Sequence, residues 1–200
     1  MNFKLKKEST QIYYRQNHLS LIKQYNSILS PIKDTLDRYI KPNHKVLDIG
    51  FGSGRDLKYI QKIGAECYGV DSTQEFIDEL SKDSYFVNRL FYAKLPNLQL
   101  DVDFKFDIVT LIAVIMHLNR EEIAKSISNI KEYLTDNGLV IISYSTNPRE
   151  NDERFFEDLR GEVINEMFLS EGFCLVEESR SLDSLGRGIE WRSGVFRKIV

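Results

Sequence analysis

The chain has 200 residues and a net charge of −3, with 27 basic residues against 30 acids, 42% apolar and 12% aromatic residues. That is one domain's worth of sequence with enough apolar content to fill a core. No stretch approaches the roughly 20 apolar residues of a membrane helix, and so few Gly and Pro exclude long disordered arrays. The opening MNFKLKKEST has no apolar run after its lysines, so no secretory signal is expected. Cys67 and Cys174 are too few and too far apart for a disulfide framework or a zinc site. Reduced thiols in the cytoplasm are the simple expectation, and no metal site is expected.

In chain order, residues 9–29 carry Ile12, Tyr13, Tyr14, Leu19, Ile22, Tyr25 and Ile28 at a spacing that suits an amphipathic helix or two short ones. Ser30-Pro31 reads as a cap with proline at the first helical position. Ile32, Leu36 and Ile40 then share a face, and Lys41-Pro42-Asn43 ends the segment. Val46 to Ile49 reads as a buried strand running into glycines. Leu57, Ile60 and Ile63 follow at helical spacing. Ala65 to Val70 reads as a second strand ended by Asp71, and Ser72 with Glu75 predicts a capping box for the next helix. Tyr85 to Phe91 is a predicted third strand and Phe106 to Ala113 a fourth. Asn119 and Glu122 open a helix bearing Ile123, Ile127, Ile130 and Leu134, which Asp136-Asn137-Gly138 is expected to stop. Leu139 to Ser143 is a fifth strand. Val163, Ile164, Met167 and Phe168 mark a helix closed by Gly172. Phe173 to Val176 and Gly194 to Ile199 are the last two strands.

Strands alternating with helices, and apolar on both faces, predict an α/β fold: a doubly wound, Rossmann-like, mostly parallel sheet covered on both sides. Residues 1–41 form a helical N-terminal arm and 42–200 the main domain. Residues 1–45 hold nine basic residues against three acids, so a basic arm sits on an acidic body. Such an arm could attract a phosphate, a carboxylate or RNA, or it could be a solvated helical face.

In such sheets ligands bind outside the carboxyl ends of the strands, and the first strand there ends in Asp48-Ile49-Gly50-Phe51-Gly52-Ser53-Gly54. Glycines let backbone approach a ligand and adopt positive φ. A helix starting near Gly54 aims its free N–H groups at the loop and favours an anionic group. Asp71 follows 21 residues after Gly50, where an acid can accept from both ribose hydroxyls. A dinucleotide loop would read Gly-x-Gly-x-x-Gly. Here the third glycine comes one residue early and position 55 is Arg. Asp48 would also repel a pyrophosphate. A zwitterionic amino acid joined to a nucleoside suits both ends, with its ammonium near Asp48, its carboxylate near loop N–H groups and its ribose at Asp71.

These residues, with Tyr68-Gly69-Val70-Asp71-Ser72-Thr73, Phe106-Asp107-Ile108-Val109 and Met116-His117-Leu118, resemble the class I S-adenosylmethionine-dependent methyltransferases over about residues 40–200. Tyr13-Tyr14-x-x-Asn17 resembles the N-terminal helix that small members fold over the cofactor. The resemblance implies a seven-stranded sheet with the last strand antiparallel and S-adenosylmethionine as cofactor. It implies a cofactor loop from Asp48 through Gly50, Phe51, Gly52 and Gly54 to Arg55, with Asp71 on the ribose and Ser72 and Thr73 flanking adenine. Backbone near Leu111 and Ile112 would meet the methionine amine, and Tyr14 would reach its carboxylate. Many relatives carry an acid at the third strand's end. Here Ala93-Lys94-Leu95 has none, so its backbone would hold adenine instead.

In-line methyl transfer depends chiefly on positioning, and a general base is needed only for a protonated nucleophile. His117 is the candidate base, with a packed helix-start residue as the alternative. Trp191 and Arg192, with Arg187 and Glu190, are candidates for the substrate mouth. There is no Asn/Asp-Pro-Pro-Tyr at the fourth strand, which disfavours exocyclic base amines, and no Pro-Cys pair for cytosine C5 chemistry. The expectation is a small-molecule methyltransferase, monomeric or homodimeric, with no membrane partner. The alternatives are an RNA or protein methyltransferase docking through the basic arm, or a non-catalytic cofactor-binding protein.

Overall fold

In the computed structural model, residues 3–149, 151–182 and 188–199 are described. The helices are α1 (Phe3–Asn26), α2 (Lys33–Tyr39), α3 (Arg55–Ile63), α4 (Gln74–Leu80), α5 (Arg120–Lys131) and α6 (Val163–Ser170). The strands are β1 (Lys45–Ile49), β2 (Glu66–Asp71), β3 (Leu90–Tyr92), β4 (Phe106–Ile112), β5 (Leu134–Ser145), β6 (Phe173–Leu182) and β7 (Glu190–Lys198). They form one seven-stranded sheet in the order β3-β2-β1-β4-β5-β7-β6. β1 to β5 pair in parallel, and β7 runs antiparallel to both β5 and β6. This is the doubly wound, Rossmann-like architecture that the alternating pattern predicts.

Alternate residues of the central strands feed two cores, one on each face. Leu47, Val109, Leu111, Val140 and Ile142 pack with Ile123, Ile127 and Ile130 of α5 and Ile164 and Phe168 of α6. Val46, Cys67, Ile108 and Ile141 pack with Leu36 of α2, Leu57 and Ile60 of α3, and Phe76, Ile77 and Leu80 of α4. Each such side chain, fully buried, contributes about 1.5–3 kcal/mol. α1 joins the second core through Leu21, with Tyr14 and Tyr25 packed beside it. Its inward stripe is thus a helical repeat that includes Thr10, Tyr14, Leu21 and Tyr25, while Leu5, Ile12 and Leu19 stay exposed.

Several local expectations need correction. The N-terminal helix is one element and starts earlier than the periodicity suggests. Ser30-Pro31 lies in a turn, and α2 begins only after Ile32. The Ser72–Glu75 capping box does not form. Thr73 is the N-cap, and its N–H goes to the Asp71 carboxylate. Tyr85 to Phe91 divides into a 3-10 turn, Ser84–Phe86, and the short β3. There the Tyr85 hydroxyl turns inward to the Ala65 carbonyl and the Cys67 N–H, at 3.3 and 3.2 Å. Asp136-Asn137-Gly138 is not a helix stop but an irregularity inside β5, with Asn137 at φ +60°. β6 and β7 are longer than their apolar cores. Asn119 and Glu122 open α5 as predicted, and they do so through a capping box.

Candidate active site

The carboxyl ends of β1, β2 and β4 converge on the glycine loop. Gly50, Gly52 and Gly54 have φ of +73°, +50° and +73°, where a side chain would cost about 1–2 kcal/mol. A Cβ on Gly50 would also stand 2.5 Å from a Val114 methyl. Around Gly52, among the described residues, a Cβ would meet nothing nearer than the Gly50 carbonyl at 3.9 Å, so the loop is open on that side. The Gly50 N–H donates to the Val70 carbonyl at 2.7 Å and the Gly54 N–H to that of Phe51 at 2.9 Å. Phe51 turns its ring into the core beside Leu57, so only its backbone belongs to the loop.

Two carboxylates order this corner. Asp71 accepts the Gly52 N–H on one oxygen at 2.9 Å and the Thr73 N–H on the other at 2.8 Å. Burial pushes its pKa up to about 6, against the pull of those hydrogen bonds. Asp48 is 2% exposed and accepts the Thr110 hydroxyl at 2.6 Å. Burial, and then the negative charges of Asp56 and Asp71, push its pKa up to about 8. Asp56 is taken by Arg55 in a two-pronged pair at 2.7 and 3.2 Å. Three acids therefore share a single guanidinium, and a cation bound among them would favour the ionised form of Asp48.

After β4 the chain bends through Ala113, a non-glycine residue at φ +61°, whose N–H donates to the Ser143 carbonyl at 2.8 Å. The bend sets Val114 over Gly50 and leads into the 3-10 turn Ile115–His117. The His117 ring is enclosed. Its Nδ1–H donates to the Phe155 carbonyl at 2.7 Å, so Nε2 is the acceptor for the Tyr14 hydroxyl at 2.9 Å. Burial first, then Arg154 and Arg149, push the imidazole down to about 4, so it is neutral at pH 7. Arg154 also donates to the Tyr14 oxygen at 3.4 Å. Two further contacts fasten α1 here. Thr10 accepts the Phe155 N–H at 2.7 Å, and Lys7 pairs with Glu122.

A family model described as a methyltransferase domain matches residues 15–191. The chain belongs to the class I S-adenosylmethionine-dependent methyltransferases. Over 105 residues it is 29% identical to a probable S-adenosyl-L-methionine-dependent methyltransferase, TehB, of Haemophilus influenzae. That match covers 51% of this chain but only 37% of the relative. A TehB-like SAM-dependent methyltransferase from Corynebacterium glutamicum shares the fold with a TM-score of 0.72, at 21% identity over 93% of this chain and 98% of that one. The 1,6-didemethyltoxoflavin-N1-methyltransferase of Burkholderia thailandensis, solved with 1,6-didemethyltoxoflavin and S-adenosylhomocysteine bound, gives a TM-score of 0.69 at 20% identity, over 85% of this chain and 77% of that one.

The methyltransferase family's cofactor, S-adenosylmethionine, carries a sulfonium and an ammonium, and the corner fits it. Gly52 offers an open face, and the surplus of acid around Asp48 calls for positive charge. Asp48, Gly50, Gly52, Gly54, Asp71, Ser72 and Thr73 lie together along the two strand ends. Ala93 adjoins them, its N–H donating to the Asp71 carbonyl at 3.2 Å. Leu95 is buried in the core, and Lys94 lines a surface cavity of about 570 Å³ with Lys7, Asn119 and Glu122. Leu111 is buried in the sheet and the partly buried Ile112 ends β4. Tyr14 was expected at the cofactor carboxylate, but its hydroxyl is engaged by His117 and Arg154.

The substrate-mouth expectation does not fit Arg192. It is 5% exposed and bonded to the Gly161 carbonyl, Glu162, Glu178 and Glu190, so it ties β7 to its neighbours. Trp191 is half-buried against the core. Arg187 lies outside the described residues. What the sequence reading missed is Thr110 and the 149–156 segment, with Arg149, Asp152, Arg154, Phe155 and Phe156. Thr110 was hidden in an apolar strand. The segment has no period, and its only signal was aromatic rings mixed with charge.

Proposed function

We propose that the protein transfers the methyl group of S-adenosylmethionine to a small-molecule acceptor held beneath α1, beside His117. The observation that carries the reading is the fastening of α1 across the strand ends, through Lys7–Glu122, Thr10–Phe155 and Tyr14–His117. An enclosure of that kind suits a small acceptor and excludes water from the reacting atoms.

The cofactor supplies an electrophilic methyl on a sulfonium, and the chain's residues supply position and charge. Asp48 takes the ammonium. The open face of the loop at Gly52 borders its carboxylate. Asp71, whose oxygens keep lone pairs beyond those used by Gly52 and Thr73, takes the ribose hydroxyls. Backbone at Ala93 borders adenine. Phe51, Arg55 and Leu95 support these contacts from behind. His117 is the base acting through Tyr14: the Phe155 carbonyl fixes its tautomer, Nε2 accepts the Tyr14 hydroxyl proton, and the Tyr14 oxygen takes the acceptor's proton in its place. A neutral imidazole held this low is a weak base, so it suits an acceptor whose proton is already labile.

The alternative, docking of RNA or protein through a basic arm, is weakened by the arm's own contacts. Lys7, Lys33 and Arg38 are paired with Glu122, Asp37 and Glu177, and Lys45 lies over the Phe104 ring. Labelled S-adenosylmethionine, offered to the small-molecule, RNA and protein fractions of a cell extract, tests the reading. Label in the small-molecule fraction is expected. Label confined to RNA or protein would overturn the small-molecule assignment, and cofactor binding without label anywhere would mark a non-catalytic binder.

A further inference from the structure

The segment after β5 folds a guanidinium beneath α1, against the Tyr13 and Tyr14 rings, yet its carboxylate partner comes from its own loop. The Arg154 side chain is 13% exposed. It sits 4.5, 5.8 and 5.1 Å from the ring centres of Tyr13, Tyr14 and Phe156, with a nitrogen 3.4 Å from the Tyr14 hydroxyl that caps His117. Its ionic partner is Asp152, two residues back in the same loop, gripped by the planar fork at 2.9 and 2.8 Å. Arg192 makes the contrast. Its buried guanidinium joins residues from three separate parts of the chain. The Arg154–Asp152 ion pair itself links no separate parts of the chain, yet taking both charges out of water carries a cost.

That cost is understandable if the fork is kept for another carboxylate. Asp152 occupies it in the geometry that a ligand acid would use, since two parallel N–H donors match one carboxylate. Asp152 also has a second cation to turn to, the Arg149 guanidinium, 3.8 Å from the same carboxylate. Arg149 lies 4.1 Å from the Phe156 ring centre, so both arginines frame one aromatic wall. The charge balance agrees. A sulfonium in a site of low dielectric favours an anionic partner over a neutral one.

We propose that the methyl acceptor is a carboxylic acid whose carboxylate displaces Asp152 from Arg154, so that Arg154 sets acceptor specificity and orientation. Tyr13, Tyr14 and Phe156 flank the guanidinium and favour an acid with an aromatic or flat apolar body. The inference rests on the small-molecule methyltransferase reading above.

The test is calorimetry on the full chain saturated with S-adenosylhomocysteine, titrated with benzoate, phenylacetate and succinate and with the matching amides. At least one acid is expected to bind tenfold or more tightly than its amide. Arg154→Gln is expected to lose about tenfold or more of that acid's affinity, with S-adenosylhomocysteine affinity unchanged within about twofold. Arg154→Lys, which keeps the charge and loses the fork, is expected to fall between. Asp152→Asn removes the internal competitor and is expected to tighten acid binding several-fold, a change that a merely structural Asp152 would not produce. Acids binding no better than amides, or Asp152→Asn weakening acid binding, would overturn the proposal. So would loss of S-adenosylhomocysteine affinity in Arg154→Lys, which would assign the fork to the cofactor. If the native chain fails to bind S-adenosylhomocysteine at all, the methyltransferase reading itself fails, and that outcome is distinguishable from the others.

Discussion

Replacing Asp48 by Asn gives the sharpest test of the cofactor corner. Asp48 is 2% exposed, and its pKa stands at about 8 against about 3.9 in an unfolded chain. A raised folded-state pKa means that the protonated carboxyl stabilises the fold. That contribution is whole below about pH 4 and is lost as pH rises through about 8. Between those limits the slope is about 1.4 kcal/mol per pH unit, or about 6 kcal/mol in all. Asp48→Asn keeps an acceptor for the Thr110 hydroxyl and has no proton to lose. Its stability relative to the native chain should therefore climb steadily between pH 5 and pH 8, as measured by urea unfolding at stepped pH. The same substitution should weaken S-adenosylmethionine binding, because the ammonium loses its carboxylate. In the native chain that binding should release close to one proton per site at pH 7, read by calorimetry in buffers of different ionisation enthalpy. A stability difference that stays flat across this range, or binding with no proton release, would refute the reasoning.

Asp71→Asn should cut S-adenosylmethionine affinity about tenfold or more, since a charge-assisted hydrogen bond is worth about 1.5–3 kcal/mol. Calorimetry with the cofactor checks it, and unchanged affinity would remove Asp71 from the ribose. Tyr14→Phe deletes the hydroxyl between His117 and Arg154. Methyl-transfer kcat should fall with the KM for S-adenosylmethionine unchanged, whereas a raised KM would place Tyr14 on the cofactor after all. Gly52→Ala should cost about 1–2 kcal/mol of stability through its positive φ. It should abolish cofactor binding as the methyl enters the loop's open face, a result read by thermal shift with and without S-adenosylhomocysteine.

What could be read from the sequence was what is local. Apolar runs gave β1, β2 and β4, because strands buried on both faces have no polar side to show. The capping box at Asn119 and Glu122 is written within four residues, and so is the loop from Asp48 to Gly54. Misreadings arose where a partner outside the expected pattern overrode the local signal. The acid at Asp71 took the Thr73 N–H, so Ser72 had no cap to make. The Tyr85 hydroxyl had backbone groups of β2 within reach, which favoured a turn over a longer strand. Asn137 absorbed its positive φ as an irregularity against Phe106 and Ile108 rather than as a helix end. Within the site, Tyr14 and His117 were legible singly but not as partners, since 103 residues separate them. Arg154 and Asp152 had no pattern at all until the fold brought Tyr14 to them.

The two oxygens of Asp71 hold the glycine turn with one and the start of the next helix with the other. The spacing of these two loops is thus set when the chain folds, before any nucleoside arrives. Most of the ordering entropy is already spent by then, so little is left to oppose capture of the ligand. It also means that an insertion in either loop would have to leave that one carboxylate bridging the same gap.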